Sequence, residues 1–292
     1  MRSGAVCSQP APGSDLTLGI VSNFRVLRAI FVKDLRQAVR YPTQVIMLFA
    51  VPFLFALLVR AMGSYVGGAK YATYFAKQTG TTNIFVYQVL GGAIWLLSWV
   101  IIDRVGSSLR EERISGTLEQ VYLAPINRFL LLVSKAMVQF VTFGITFLVV
   151  ISLSICLFDW GAVGGLPQAF LVLCLGLVPL WGISFLFAGL VVRFKEPYAF
   201  INVTNLLFSI LIGTYYPITI LPSWAQVVSR FLPQTYALDA MRHILLADTA
   251  LVSPPETYLI LGSMAVVYPL LGFLVFRLFL DRATVSGDLS KF

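Results

Sequence analysis

The residues best suited to chemistry in this chain sit in one polar stretch between two long apolar ones. It runs from Asp103-Arg104 through Arg110-Glu111-Glu112-Arg113-Ile114-Ser115-Gly116-Thr117-Leu118-Glu119 to Pro125. Val105, Leu109 and Glu112 fall along one helical face, and Ser115-Gly116 permits a sharp turn. Thr117 to Leu123 reads as a second short amphipathic helix, stopped by Pro125. Charges of both signs on a turn-punctuated loop suit non-covalent docking of another protein; a solvated loop whose charges only set topology is the competing reading. Covalent chemistry has less support. The single histidine, His243, lies four residues after Asp239, so the two can meet on one helix face, where a surface pair is a simpler reading than an acid–base couple. Cys7, Cys156 and Cys174 form no CxxC pattern, which leaves neither a disulfide framework nor a zinc site. No phosphate-loop spacing occurs, and Gly67-Gly68-Ala69-Lys70 does not supply it.

The elements that must carry these residues belong to a membrane. Of 292 residues 58% are hydrophobic and 12% charged, with a mean hydropathy of +0.86, whereas soluble domains carry about 25% charged residues. Six stretches approach the roughly 20 residues that cross a hydrocarbon core: 42–59, 84–102, 136–158, 167–192, 198–221 and 258–276. Helices are the structure that satisfies the backbone at these lengths in lipid, so an all-α membrane bundle with six transmembrane helices is expected. Sixteen of the 21 Lys and Arg residues fall on the side of the N-terminus, which makes that side, and both termini, cytoplasmic. Residues 1–19 read as a disordered tail, whose first fifteen residues carry no signal-peptide pattern. Ile20–Arg40 splits Arg25, Arg28, Lys33, Arg36 and Arg40 from Ile20, Phe24, Leu27, Phe31 and Leu35 on opposite faces. This N-terminal amphipathic helix (20–41) suits the cytoplasmic interface, its cations toward lipid headgroups. A net charge of +8 is thereby assigned to lipid and topology, with no nucleic acid.

The six stretches contain no Asp, Glu, Lys, Arg or His. Ionisable groups kept in a bilayer usually mark ion or proton paths, so ion-coupled transport and intramembrane catalysis are both disfavoured. If the chain moves a molecule uphill, the energy comes from another polypeptide. Between the fifth and sixth stretches, residues 217–255 are too polar and proline-broken to cross. Ser223–Arg230 and Thr235–Ala247 read there as two amphipathic helices, with Trp224 and Tyr236 at the outer interface. A hairpin lying on the surface and one entering the membrane are both open. The link Arg60–Asn83 reads as a short polar connection.

Glu112-Arg113-Ile114-Ser115-Gly116-Thr117-Leu118-Glu119-Gln120, followed by Ala124-Pro125, resembles the loop signature of type-2 ABC transporter permeases. Leu221-Pro222-Ser223-Trp224 and Leu232-Pro233-Gln234-Thr235-Tyr236-Ala237-Leu238 through Arg242 resemble that family's segment before the last span. The resemblance covers Ile20 to Arg282 and implies a six-span transmembrane domain at 42–282 with a C-terminal tail at 283–292. It implies a coupling loop (103–128) in which Glu112, Arg113, Gly116, Thr117 and Glu119 contact a cytoplasmic ABC ATP-binding subunit. It further implies a second permease copy, a re-entrant outer gate bearing Pro222, Trp224, Pro233, Tyr236 and Arg242, and a path lined by spans one, two and five. Trp95, Trp99, Asn202 and Asn205 are the candidates for that path, each open to a packing role instead. No catalytic residue, metal or cofactor is expected on this chain; ATP and Mg belong to the partner. A path without charges suits an amphipathic or lipid-like cargo leaving across the cell membrane. A scaffold that anchors a cytoplasmic partner without transport is the alternative.

Overall fold

A computed structural model describes residues 42–68, 70–106, 128–158, 165–193 and 197–286, with scattered positions between 28 and 40. Nine α-helices are described after the N-terminal segment. They are α1 Pro42–Gly67, α2 Lys70–Thr79, α3 Ile84–Gly106, α4 Arg128–Phe158, α5 Leu166–Arg193, α6 Pro197–Leu211, α7 Ser223–Ser229, α8 Pro233–Leu246 and α9 Pro254–Ser286. A 3-10 turn, Ile218–Ile220, precedes α7. No strand occurs among the described residues, as the backbone's need for internal hydrogen bonds in lipid requires. Five helices, α1, α3, α4, α5 and α9, contain windows long and apolar enough to cross a membrane.

The fifth apolar stretch departs from expectation. Its helix ends at Leu211 rather than continuing to Leu221. Gly213 turns the chain with φ 70°, and Pro217, which has no N–H, follows before helix can resume. At 15 residues α6 is about 22 Å long, less than a hydrocarbon core of about 30 Å. The Arg60–Asn83 link also differs: α1 continues to Gly67, and α2 fills most of the remainder. Of the N-terminal amphipathic helix, the described positions are helical, with Arg28, Lys33, Arg36 and Arg40 exposed and Phe31 and Leu35 half-buried. The remaining positions of that helix, the tails at 1–19 and 287–292, and residues 107–127 of the polar loop lie outside the described residues.

α3 is the centre of the bundle, buried along most of its length between α1, α4, α5 and α8. Ser184 Oγ donates to the Ile101 carbonyl at 3.3 Å, and Gly106 lies against Phe187, which sets α5 parallel to α3. Gly182 lies against Tyr268 and Gly272, and Gly189 against Phe276, which sets α9 parallel to α5. The three helices are nearly in register, so Ile84, Leu166 and Pro254 all start at one end, here the upper end. A methyl group on Gly182 would overlap the Tyr268 backbone. Lipid supplies little hydrophobic drive between helices, so close backbone approach through small residues holds such pairs. The outward faces of α1 and α9 remain apolar, with Leu54, Leu57 and Leu58 on one and Leu270, Leu271 and Leu274 on the other.

Candidate functional site

Beyond α6 the chain folds into a helical hairpin, α7 and α8, that enters the bundle. Ser229 Oγ, at the end of α7, donates to the Leu211 carbonyl at 2.6 Å, so α7 lies back along the tip of α6. Tyr268 Oη donates to the Phe231 carbonyl. Tyr268 stands about 21 Å along α9 from Pro254, at about 1.5 Å per residue, so the turn at Phe231-Leu232 lies about that far down the bundle, with Leu232 buried and Phe231 exposed on its outer face. α8 then climbs antiparallel to α5, with Ala237 against Gly176 and Ile244 against Gly165. Pro233 to Leu238 are all buried, as are Met241, Arg242 and Leu245. The hairpin thus packs among the helices of the bundle rather than lying apart from them.

Arg242 fastens the hairpin. It is 4% exposed, and its guanidinium lies 3.4 Å above the centroid of the Tyr87 ring. Nη1 donates to the Gly213 carbonyl at 3.0 Å. Nη2 donates to the Thr214 carbonyl at 2.7 Å and to the Tyr87 carbonyl at 3.2 Å. One planar fork therefore joins α3, the break after α6, and α8, which lysine's point charge could not do with equal geometry. Gly91 makes this possible, because a methyl group there would occupy the space of the Thr214 carbonyl. Carbonyl dipoles and the aromatic face replace the water that a buried cation loses.

Asp239 and Asp248 line one half-open cleft with Arg242, Tyr87 and Thr235. Asp239 and His243 are not bonded to each other. Asp239 Oδ2 accepts from the Leu251 N–H at 2.9 Å, while His243 Nδ1 meets the Asp248 carbonyl at 2.6 Å. Both side chains thus bind α8 to the connection that leads into α9. Burial pushes the Asp239 carboxyl up to about 6 against the pull of the Leu251 N–H and Arg242, and raises Asp248 as well. The folded state accordingly favours the protonated acid. The stability this gives is complete below about pH 4 and is lost as pH rises through about 6. Asp239→Asn keeps an oxygen for Leu251 and cannot ionise. In melting curves of the purified chain between pH 4 and 7.5, the variant should lose less Tm with rising pH than the parent; parallel curves would refute the assignment.

The remaining expected site residues are placed as follows. Glu112, Arg113, Gly116, Thr117 and Glu119 lie outside the described residues. Pro222, at the start of α7, and Trp224 are exposed, whereas Pro233 opens α8 inside the bundle. Tyr236 corrects the expectation of an interfacial ring: at 9% exposure it belongs to the main core, because α8 is inserted rather than laid on the surface. Trp95 and Asn205 come together, Nε1 donating to the Asn205 carbonyl at 3.3 Å across α3 and α6. Asn205 is 5% exposed and its Nδ2 has no partner. Trp99 is half-buried against the core, and Asn202 points to the exposed side of α6.

Phe55 and Tyr215 complete an aromatic group around Trp95. The Phe55 ring meets Trp95 edge-on at 6.2 Å and stacks on Tyr215 at 6.5 Å. Sequence reasoning passed over Phe55, Tyr87 and Gln234. Nothing in an apolar helix singles out one phenylalanine or tyrosine, but Arg242 was a signal: it adjoins the Leu238, Met241, Leu245 face and so needed a buried partner. Among the described residues no group of three or more His, Cys, Asp or Glu side chains could hold a metal.

A family model for ABC-2 family transporter proteins matches residues 68–274. That span begins just after α1 and takes in the polar loop, Trp95 and Tyr215 of the aromatic group, and the whole inserted hairpin. No curated protein matches the chain. The chain belongs to the ABC-2 family of transporter proteins, as a multi-pass membrane component that is not itself catalytic.

Proposed function

We propose that the chain is the permease subunit of an ABC exporter in the cell membrane, moving an amphipathic or lipid-like molecule outward with energy from a separate ATP-binding subunit. The observation that carries this reading is the family match, which spans both the mixed-charge loop and the clasped hairpin. The chain crosses the membrane six times with both termini inside. Supporting that count, α5 and α9 start at the same end, so the segment between Arg193 and Pro254 has to return across the bundle, and α6 covers most of the way. The upper end is then the outer one. Glu112, Arg113, Gly116, Thr117 and Glu119 form the seat for the ATPase. Arg242 and Tyr236 hold the gate from inside the bundle, and Trp95 and Asn205 line the path beside Phe55 and Tyr215, facing a second permease copy.

The cargo class follows from the lining chemistry. Aromatic faces and one unpartnered amide suit an apolar molecule with a small polar group, and none of Phe55, Trp95, Asn205 and Tyr215 carries a charge to balance an ionic one. Isolation of the native complex is expected to recover an ATP-binding chain, and vesicles containing both should move a labelled amphiphile only with ATP. Transport by this chain alone would sink the reading, while a recovered ATPase with no transport of any cargo would favour the scaffold.

A further inference from the structure

The short helix α2 has two unlike faces. At about 100° per residue, Tyr74 and Lys77 fall within about 40° of Lys70, while Tyr71, Phe75 and Thr79 fall about 100–180° away from it. Packing follows this division. A methyl group on Gly63 or Gly67 of α1 would overlap Tyr71. Tyr71 Oη accepts from Gln88 Nε2 of α3 at 3.2 Å, and the Phe75 ring meets Tyr87 edge-on at 5.1 Å. The Thr79 carbonyl accepts from the Thr249 N–H at 3.4 Å. With α2 fastened to the bundle along its length, Lys70, Tyr74 and Lys77 are left exposed on the side away from it. No Asp or Glu occurs from Pro42 to Ile102, so α1, α2 and the upper part of α3 offer no carboxylate to balance the two lysines.

Depth identifies what lies opposite that face. Arg60 and Gly67 stand about 27 Å and 38 Å along α1 from Pro42, at about 1.5 Å per residue. With Pro42 at the lower boundary, a hydrocarbon core of about 30 Å ends near Arg60, and headgroups fill the next several ångströms. Gly63 and Gly67, and with them Tyr71 and α2, fall in that layer. The exposed face of α1 changes character at the same height, where Leu54, Leu57, Leu58 and Met62 give way to Tyr65, which is 91% exposed. Tyrosine concentrates at this level, and lysine there keeps its stem on apolar surface and its ammonium in polar surroundings. We infer that the Lys70, Tyr74 and Lys77 face of α2 is a seat for anionic phospholipid headgroups. Each ammonium donates to phosphate oxygens, and Tyr74 packs between them against the lipid. Lysine is usually kept to the cytoplasmic side, so a pair on one short helix at the other end needs a counter-charge, which lipid phosphate supplies. Placing this seat in the outer leaflet rests on the proposed topology; the seat itself does not.

Photochemical labelling of the full chain tests the seat. Tyr74 is replaced by the photoreactive amino acid p-benzoylphenylalanine, and the purified chain is placed in phosphatidylcholine vesicles containing a minor share of phosphatidylglycerol. Irradiation is expected to give lipid adducts in which phosphatidylglycerol exceeds its share of the vesicle about threefold or more, within the roughly fivefold that one cation gains near an anionic surface. In the same background, Lys70→Gln with Lys77→Gln should return the adducts to the bulk ratio. The Tm should not change, because both side chains are exposed. Lys70→Arg with Lys77→Arg should keep the excess, and high salt should reduce it. Adducts in the bulk ratio before any lysine is replaced would overturn the inference, as would an excess that survives the glutamine pair. Attachment mainly to a second copy of the chain would overturn it as well, since protein rather than lipid would then cover the face. No step of the test needs an ATPase or a transported cargo, so the seat and the proposed function can each fail without the other.

Discussion

Arg242→Ala is expected to lower the melting temperature of the purified chain by about 10 °C. The guanidinium satisfies three backbone carbonyls, at Tyr87, Gly213 and Thr214, inside the bundle. Each buried acceptor left without a donor costs about 1–3 kcal/mol, and partial rehydration through the vacated space recovers some of this. A net loss near 4 kcal/mol, at about 2–4 °C for each kcal/mol in a chain of this size, gives the stated shift. Arg242→Lys should recover less than half of it, because an ammonium cannot present the same planar fork or stack on Tyr87 in the same way. Gly91→Ala offers an independent approach to the same junction, since the added methyl displaces the Thr214 carbonyl from Arg242. Once that contact is broken, removal of the guanidinium has less left to remove, so the double variant should fall short of the sum of the single effects. Thermal melts in detergent decide the matter. A shift under about 2 °C for Arg242→Ala would mean that the clasp carries no weight.

The clasp also shows which parts of this molecule the sequence made legible. Runs such as Ile84–Ile102 and Pro167–Val192 announce helices by length and composition, since lipid leaves the backbone no other arrangement. Five of the six apolar stretches indeed form long helices. The failure at 198–221 has a local cause, because apolar side chains continue past Leu211 while the backbone turns at Gly213. Hydropathy reads side chains and is blind to φ. The hairpin's sequence is polar and proline-broken, features that suit a surface segment and an inserted one equally. Its depth is fixed by partners far away in the chain, among them Tyr268 for Phe231 and Gly176 for Ala237. Trp95 and Asn205 were legible as types, aromatic and amide within apolar helices, but their meeting depends on the packing of α6 against α3. Asp239 and His243 have the right spacing for each other, yet the connection at 248–251 offers both of them better-placed backbone partners.

Replacement of Glu112 by alanine together with Gly116 by leucine is expected to weaken association with the ATP-binding subunit by 30-fold or more, without changing the Tm of the chain itself. The two residues fail for different reasons. On the proposed reading Glu112 supplies a carboxylate to the seat, and removing one partner of a desolvated charge pair at an interface costs about 2–5 kcal/mol. At about 1.4 kcal/mol per tenfold, even the lower bound exceeds 20-fold before the glycine contributes. Gly116 follows Ser115 where the sequence permits a sharp turn, and leucine there both removes backbone freedom and adds bulk. The loop joins the end of α3 at Gly106 to the start of α4 at Arg128, so its substitution leaves the packed helices as they are. This is the opposite pattern to Arg242→Ala, which removes stability while sparing the docking face. Quantitative co-purification over a salt series gives the measurement. Parent association should weaken as ionic strength rises, and the double variant should show a smaller salt dependence because one charge pair is gone. Full association and ATP-driven transport in the double variant would remove Glu112 and Gly116 from the coupling surface, and the ATPase would then have to grip the chain elsewhere on its cytoplasmic face.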